Sequence, residues 1–418
     1  MPAAEQPEAS FTNSELNHLF RDAAGISHVA LAVSGGSDST ALMALAQQWA
    51  KQLSQPPRLS VLTVDHGLRE GSLAEAESVA QWARALGVEH TILRWIGDKP
   101  TSRIQETARQ ARYDLMTQWC KAHGAGALLS AHTIEDQAET IIMRLARGTG
   151  IEGLAGMHRV RLIDGIALYR PLLHLSRERL RSFLRARGQG WIDDPSNEDT
   201  QFERVRIRKA WPEFEKAGVT ALALQEVAYR AQRADWALHA IRDDFLAAHV
   251  QRFAEGYCEV ALAPFLELPD ELRIRVLDRL IQTYGAGTRA ELSGLERLES
   301  WFSINEPRSG RTTLAGCQIA LRTKTFLAGR EPGRISKSPG PLTGPVIWDG
   351  RWRISAEPFA AGLTVRPAGV LAGIPRIKAL PAFVQAGLPA ICAGETLVYL
   401  PFCGHLPENM KITAIFCR

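Results

Sequence analysis

The sequence is poor in cysteine and has no long hydrophobic run. Its 418 residues contain six cysteines, and no two of them form a Cys-x-x-Cys pair. This wide spacing disfavours a disulfide framework, a zinc ribbon and an iron–sulfur site, so we expect reduced thiols. No apolar stretch approaches membrane-spanning length, and the first residues lack the basic start and apolar run of a signal peptide. We therefore expect a cytoplasmic protein with no membrane contact.

Charge is nearly balanced over the whole chain. There are 49 Lys and Arg against 45 Asp and Glu, a net charge of +4, which does not by itself indicate a nucleic-acid partner. The segment from His158 to Lys209 alone has 12 basic and 7 acidic residues. Clustered arginine commonly neutralises phosphate, although the helical run from Arg177 to Arg181 would equally suit a solvated helix face.

An apolar run at 29–33 leads into a glycine-containing loop and then into a helical pattern. The loop is Ser34-Gly35-Gly36-Ser37-Asp38-Ser39. Adjacent glycines let backbone N–H groups point into one concavity at the positive end of a helix, and serine hydroxyls add donors. This arrangement predicts a phosphate site, whereas a tight turn with Asp38 or Ser39 as an ordinary N-cap would explain only part of it.

The carboxylate in this loop predicts a bound cation. Asp38 would repel a phosphate directly, so we predict that it binds Mg²⁺ lying between the two. The loop has no lysine and lacks the G-x-x-x-x-G-K-[ST] pattern, which excludes a Walker-type site.

Short apolar runs alternate with helical patterns in the first half of the chain. Strands are expected at 29–33, 59–64, 91–95 and 127–131, and helices near 38–53, 73–86, 102–123 and 134–147. This alternation predicts an α/β fold, a parallel sheet with helices on both faces. Ligands collect at the carboxyl ends of such strands, where the polar loops 34–39, 65–69 and 132–136 lie.

Beyond about residue 210 the pattern changes. Apolar residues three and four apart from Leu224 to Phe245 predict a long helix whose apolar stripe packs in a core. A segment rich in Pro and Gly at 331–346 predicts a linker. We predict a nucleotide-binding domain at 1–212, a mainly helical middle domain at 213–330 and a small β-rich domain at 347–418.

The loop at Ser34 to Ser39 resembles the S-G-G-x-D-S signature of the PP-loop ATP pyrophosphatases, which split ATP between the α and β phosphates. Six further segments, in order along residues 65–197, resemble one branch of that superfamily, the tRNA(Ile)-lysidine synthases. They are Asp65-His66-Gly67-Leu68-Arg69, Gln105 to Tyr113, Ala131 to Thr140, Arg147 to Leu154, Arg170 to Leu173 and Asp194 to Asn197.

The resemblance implies that the loop binds ATP together with Asp65 and His66. Arg109 and Arg112 lie three residues apart on one helix face, which suits them to stabilise charge on an adenylate. Either arginine taken singly would also suit a solvated surface.

A second pair of charged residues is predicted to bind the other substrate, lysine. Asp136 and Glu139 share a helix face and would bind a lysine ammonium, although charge compensation at a helix start is an alternative. His132 completes the predicted catalytic set of Asp38, Arg109, Arg112, His132 and Asp136. Because no histidine follows His132 at i+4 and no cysteine is near, zinc is not predicted.

The chain departs from the family pattern at three positions. Thr133 stands where a second histidine is common, Glu135 where aspartate is common, and Val205 where asparagine is common. Glu135 keeps the charge but changes the reach of the side chain. We predict that nearby arginines still bind tRNA, and these are Arg147, Arg204, Arg206 and Arg208.

The resemblance implies a two-step ligation. ATP adenylates the carbonyl oxygen of the wobble cytidine in the CAU anticodon of tRNA(Ile), and pyrophosphate leaves. The ε-amine of free L-lysine then attacks that carbon and expels AMP, which leaves lysidine. The predicted cofactors are ATP and Mg²⁺, the later domains are assigned to tRNA contact by exclusion, and a homodimer is left open.

Two other functions would also explain some of these sequence features. A PP-loop tRNA thiolase would usually need a Cys-x-x-Cys pair or another sulfur-handling cysteine, and Cys120 is the only cysteine of the first predicted domain. A non-catalytic, nucleotide-dependent tRNA-binding protein would bind tRNA without releasing AMP.

Overall fold

The computed structural model describes residues 9–67, 71–97, 104–193, 201, 203–304, 309–357, 362–374, 376–403 and 411–417. The motif segments at Leu68, Arg69 and 194–197 lie outside these residues. By its internal contacts the chain divides into two compact units, Met1–Asp235 and Trp236–Arg418. Among the described residues, no helix has both the length and the apolar character needed to cross a membrane.

A six-stranded sheet forms the centre of the first unit, in the order β3-β2-β1-β4-β6-β5. The five strands β3, β2, β1, β4 and β6 are parallel, and β5 pairs antiparallel with β6 at the edge. The strands are β1 His28–Ala32, β2 Arg58–Asp65, β3 Glu89–Arg94, β4 Ala127–Leu129, β5 Val160–Ile163 and β6 Ile166–Tyr169. All four predicted strands are present, and the last two are additional.

Helices cover both faces of this sheet, as predicted. Successive side chains of a strand point to opposite faces, so Val29 and Leu31 enter one core while Ala30 enters the other. This explains the unbroken apolar run of the first strand. The helices of the unit are α1 Asn13–Leu19, α2 Ser37–Gln52, α3 Ser72–Ala85, α4 Ile104–His123, α5 Ile134–Leu145, α6 Ile151–Leu154, α7 Arg177–Ala186, α8 Glu203–Lys216 and the first part of α9 Ala221–His249.

The long helix α9 is present, but the prediction of a continuous buried stripe is wrong. Leu224 and Phe245 are buried, whereas Val227 is 40% and Ile241 48% exposed. The helix spans the division between the two units, and its buried apolar residues lie toward its two ends, each in the core of a different unit.

Within its described residues the second unit contains three antiparallel sheets. Their strand orders are β7-β8-β11-β10-β9, β12-β15-β16-β17 and β13-β14-β18. The first sheet consists of β7 Val250–Phe253, β8 Tyr257–Ala261, β9 Gly310–Leu314, β10 Cys317–Leu321 and β11 Thr325–Arg330. The others consist of β12 Gly340–Pro341, β13 Val346–Trp348, β14 Trp352–Glu357, β15 Leu363–Pro367, β16 Pro389–Ala393, β17 Thr396–Tyr399 and β18 Lys411–Phe416.

Helices pack on the first of these sheets. They include α11 Asp270–Tyr284 and α12 Leu292–Ile304, preceded by α10 Leu262–Glu267, while the short α13 Ala382–Ala386 lies later in the chain. The region 213–330 therefore combines long helices with five strands. Within the predicted linker 331–346, β12 pairs with β15 as a sheet edge. The predicted domain boundaries at 212, 330 and 346 stay predictions.

The turn between β1 and α2 requires glycine at position 35. Gly35 has a φ of +93°, and a Cβ there would lie 2.8 Å from Ile192 Cδ1 and 3.2 Å from Val79 Cγ2. Gly36 has an ordinary φ of −67°, and a Cβ on it would be 3.9 Å from the nearest atom, Ser34 Oγ.

We expect Gly35→Ala to lower the free energy of unfolding by about 1–3 kcal/mol, because it combines backbone strain with a steric clash. The matched variant Gly36→Ala should cost less than about 1 kcal/mol. Urea unfolding of both variants measures the difference. Equal losses would contradict the assigned role of Gly35.

Candidate active site

The loop from Ser34 to Ser39, called the phosphate loop below after its predicted role, is held by its own hydroxyl groups. The Ser34 N–H donates to Ser39 Oγ at 3.2 Å, and that hydroxyl donates to the Gly36 carbonyl at 3.0 Å. Thr40 Oγ1 donates to the Gly35 carbonyl at 3.1 Å. The buried Ser39 thus braces the loop. The first backbone N–H groups of α2 have no acceptor within the helix, and they lie at the end of this loop. The geometry fits the predicted phosphate site.

Asp38 lies in the first turn of α2 and has two side-chain partners. Ser37 Oγ donates to one carboxylate oxygen at 3.1 Å, and Arg177 Nε donates to the other at 3.0 Å. Among the described residues no group of three or more His, Cys, Asp or Glu side chains could hold a metal ion. One carboxylate beside a phosphate cradle nevertheless fits Mg²⁺, which commonly takes one or two protein carboxylates and completes its shell with phosphates and water.

Asp65 and His66 follow the neighbouring strand β2. Asp65 Oδ1 accepts from Ser72 Oγ at 2.7 Å and from the Gly67 N–H at 2.9 Å. The Ser72 hydroxyl and the Gly67 amide hold the pKa of Asp65 below its usual range. The Arg112 guanidinium donates to His66 Nε2 at 3.4 Å. The structure therefore brings the loop after β2 into contact with the arginine face of α4.

The start of α5 positions Asp136. Thr133 donates to Asp136 Oδ2 from its backbone N–H at 3.0 Å and from its hydroxyl at 3.3 Å. The other oxygen, Oδ1, is 3.7 Å from Arg177 Nη2 and 3.7 Å from Arg208 Nη2. Burial opposes ionisation of Asp136, but His132, Arg177 and the Thr133 amide, in that order, keep its pKa below the usual value. Thr133, the first departure from the family pattern, thus fixes this carboxylate.

Glu135 binds the start of another helix. Its two carboxylate oxygens accept from the backbone N–H of Arg177, the first residue of α7, at 3.0 and 3.1 Å. A backbone bond from Ile134 N–H to the Leu175 carbonyl, 3.1 Å, joins the same two helix starts. The longer side chain at the second departure position therefore holds Arg177 beside Asp38.

Glu139 is 2% exposed and is surrounded by arginine. Arg208 Nε lies 2.5 Å from Glu139 Oε1 and Arg208 Nη2 lies 3.2 Å from Oε2, while Arg204 Nε is 3.8 Å from Oε2. Burial raises the pKa of Glu139 against the opposing effect of Arg208. Both arginines were predicted to bind tRNA, and the structure places them on the predicted lysine carboxylates.

His132 lies beside this cluster, with Nδ1 2.9 Å from Ser130 Oγ. Desolvation lowers its pKa to about 3, and the positive charges of Arg170 and Arg109 act in the same direction. A neutral imidazole is therefore expected at neutral pH. The guanidinium of Arg109 also lies 5.3 Å from the centre of the Tyr113 ring.

The remaining predicted tRNA contacts lie at the surface. Arg147, whose side chain is 64% exposed, forms an ion pair with Glu203. The exposed Arg206 donates to the Gln201 carbonyl at 2.9 Å. Val205, the third departure, is buried in α8. Its neighbours have different partners, Glu139 for Arg204 and the Gln201 carbonyl for Arg206.

Sequence reasoning gave no role to two residues of the site, Arg177 and Arg170, although Arg170 begins one of the segments that resemble the family. Arg177 bridges Asp38 and Asp136, and its only signal was its place in a basic segment. Arg170 is 3% exposed and donates to the His158 carbonyl, and burial lowers its pKa to about 10. The positive charge of the buried Arg170 acts on the imidazole of His132 and raises the positive potential of the site.

Comparison with known proteins gives a consistent result. The PP-loop domain family matches residues 9–213. A curated protein named tRNA(Ile)-lysidine synthase from Rhodopseudomonas palustris is 42% identical over 74% of this chain and 92% of its own length. Its namesake from Methylobacterium nodulans is 44% identical over 73% of this chain and 91% of its own length. The one from Ruegeria pomeroyi is 37% identical over 90% of this chain and 88% of its own.

Solved structures are more distant. The U34-tRNA thiolase NcsA from Methanococcus maripaludis has a TM-score of 0.46 and 16% sequence identity, over 53% of this chain and 77% of its own. An NH3-dependent NAD synthetase from Campylobacter jejuni has a TM-score of 0.31 and 13% identity, over 56% of this chain and 95% of its own.

We expect Glu135→Ala to destabilise the protein by about 1–2 kcal/mol, because it leaves the first amide of α7 without its acceptor. Glu135→Gln keeps one acceptor oxygen and should lose less. The control is Glu213→Ala, which removes an exposed pair with Lys216 and should change stability by less than about 0.5 kcal/mol. Thermal unfolding compares the three variants, and equal effects of both alanine substitutions would refute the anchoring role.

Proposed function

The chain belongs to the tRNA(Ile)-lysidine synthase family, and we propose which of its residues act in each step of the reaction. The enzyme is a ligase that uses ATP to join lysine to the wobble cytidine of tRNA(Ile). An adenylated cytidine is formed with release of pyrophosphate, and the lysine amine then displaces AMP. The nucleophile belongs to the substrate, so the protein must bind, orient and neutralise charge.

Binding of the ATP phosphates is assigned to the loop from Ser34 to Ser39. The amides at the start of α2 would receive phosphate oxygens, and the carboxylate of Asp38 would hold Mg²⁺. When bound there, the ion neutralises phosphate charge and polarises the bond to the departing pyrophosphate. Asp65 and His66 border the nucleotide at the end of the next strand.

Arg109 and Arg112 of α4 are assigned to the negative charge of the adenylate. Fixed guanidinium groups stabilise such charge without reorganising during the reaction. The neutral His132 adds no positive charge of its own, so it is assigned as a hydrogen-bonding group beside Asp136.

The lysine ammonium is assigned to Asp136 and Glu139. Both carboxylates are buried on one face of α5, and buried carboxylates require a cationic partner. Arg204 and Arg208 supply that partner in the structure. Lysine would share or replace these contacts.

One observation carries the proposal. The carboxylate of the phosphate loop, Asp38, and the first carboxylate of the lysine site, Asp136, both face the guanidinium of Arg177, at 3.0 and 3.7 Å. The two predicted substrate sites are therefore adjacent, as a transfer from an adenylate to a lysine amine requires.

Contact with tRNA is proposed for several separate surfaces. Arg147 and Arg206 are exposed near the site and would bind backbone phosphate. The proposed domains 213–330 and 347–418 would bind other parts of the tRNA. A tRNA substrate also favours a cytoplasmic location, and a homodimer stays a prediction.

The properties of Cys120, the one cysteine of the first unit, argue against a thiolase function. Cys120 is fully buried, and burial raises its pKa to about 11. A thiolate is the reactive form of cysteine, so this thiol is unsuited to sulfur transfer.

The deciding experiment measures AMP released from α-labelled ATP, using unmodified tRNA(Ile) with a CAU anticodon. AMP formation should require both the tRNA and L-lysine. Release that needs tRNA but is indifferent to lysine would refute lysine as the nucleophile. Binding of tRNA without any release would support a non-catalytic binding protein.

We expect Glu139→Gln to raise the KM for lysine by about 10- to 100-fold, since it removes a buried charge from an ammonium site. At saturating lysine the KM for ATP should change by less than about threefold, because the described partners of Glu139 are Arg204 and Arg208 and not the phosphate loop. Glu178→Gln is the control, because Glu178 forms an exposed pair with Arg185. A parallel rise in both KM values would contradict the assignment.

A further inference from the structure

Five charged side chains form a continuous series between the two proposed substrate sites. In spatial order they are Asp38, Arg177, Asp136, Arg208 and Glu139, and we call them the charge series. The separations between successive members are 3.0, 3.7, 3.7 and 2.5 Å. Negative and positive groups alternate along it, so the state of one member changes the electrostatic energy of the next.

Arg177 occupies the position in this series where the two sites meet. Its backbone N–H is held by Glu135, so its Cα is fixed relative to α5. Its side chain is 22% exposed and extends to both Asp38 and Asp136. A long side chain on a fixed backbone can exchange one partner for another without moving the helix.

Magnesium and ATP would change the partners of this guanidinium. In the structure Arg177 occupies one oxygen of Asp38, the same carboxylate that the proposed ion would use. A cation on Asp38 repels the guanidinium, whereas the adjacent phosphate oxygens attract it and match its planar donors. Arg177 would then leave both carboxylates for the phosphates.

That exchange would alter the lysine site. Asp136 would lose one of the two guanidinium groups near its Oδ1 and keep only Arg208. Its carboxylate is nine-tenths buried, where loss of a positive neighbour is costly. The ammonium group of lysine can restore that charge.

We propose that Arg177 is a positioning residue that makes lysine binding depend on nucleotide binding. The proposal rests on the assignment of ATP to the phosphate loop and of lysine to Asp136 and Glu139. Nucleotide with Mg²⁺ strengthens lysine binding, and by thermodynamic linkage lysine strengthens nucleotide binding by the same factor. Lysine therefore enters the site mainly after ATP.

The test is calorimetric titration of L-lysine into the full-length protein. One series contains Mg²⁺ and the α,β-methylene analogue of ATP, which cannot be split between those phosphates, and the other contains neither. The coupling factor is the ratio of the two Kd values. It is compared for the natural chain, Arg177→Gln, Arg177→Lys and the control Arg185→Gln, whose exposed arginine on the same helix pairs with Glu178.

The natural chain and Arg185→Gln should show a coupling factor of about fivefold or more. Arg177→Gln should lower it to within about twofold of unity, since glutamine cannot carry the charge between partners. Arg177→Lys keeps the charge but lacks the planar fork, so its factor should lie between the two. A general loss of stability would weaken lysine binding under both conditions and leave the ratio of the two Kd values unchanged.

Two outcomes overturn the proposal. One is a natural chain in which lysine and nucleotide bind independently, which the reciprocal titration of the analogue with and without lysine also measures, even if the variants fail to fold. The other is an Arg177→Gln protein with an unchanged ratio. Failure of lysine to bind under either condition would instead refute the proposed lysine site, so the two failures are distinguishable.

Discussion

Opposite charges from helices α2, α5, α7 and α8 meet at the carboxyl end of the parallel sheet, and the rest of the site depends on their pairing. Glu139 is almost fully buried, and an isolated carboxylate there would be too costly to keep ionised. The arginines of α8 must therefore lie over α5 for the site to exist. Pairs of this kind contribute little net stability compared with apolar packing, so their main effect is to fix where the helices lie.

The sequence predicted those parts of the site whose residues are neighbours in the chain. The loop from Ser34 to Ser39 could be predicted because two glycines, three hydroxyls and one carboxylate stand together after a buried strand. Asp136 and Glu139 could be assigned to one helix face by their spacing alone. The contact between Asp38 and Arg177 joins residues 139 positions apart, and no local pattern distinguishes it from a contact of α7 with solvent.

The three departures from the family pattern have physical explanations that only the fold supplies. Thr133 caps α5 and fixes Asp136, and Glu135 reaches an amide on another helix. Val205 is buried, and Arg204 and Arg206 on either side of it point to different faces of α8 because of the helical turn. In the same way Arg204 and Arg208 belong to a run that suggests nucleic-acid contact, yet the turn of α8 directs them inward to Glu139.

The bond from Glu135 to the start of α7 also makes residue 135 harder to replace than residue 177, as far as the position of α7 is concerned. The donor is the backbone N–H of residue 177, so any side chain there except proline keeps the bond, whereas a residue without an acceptor at position 135 removes it. The place of the helix therefore depends on the side chain of residue 135 and only on the backbone of residue 177.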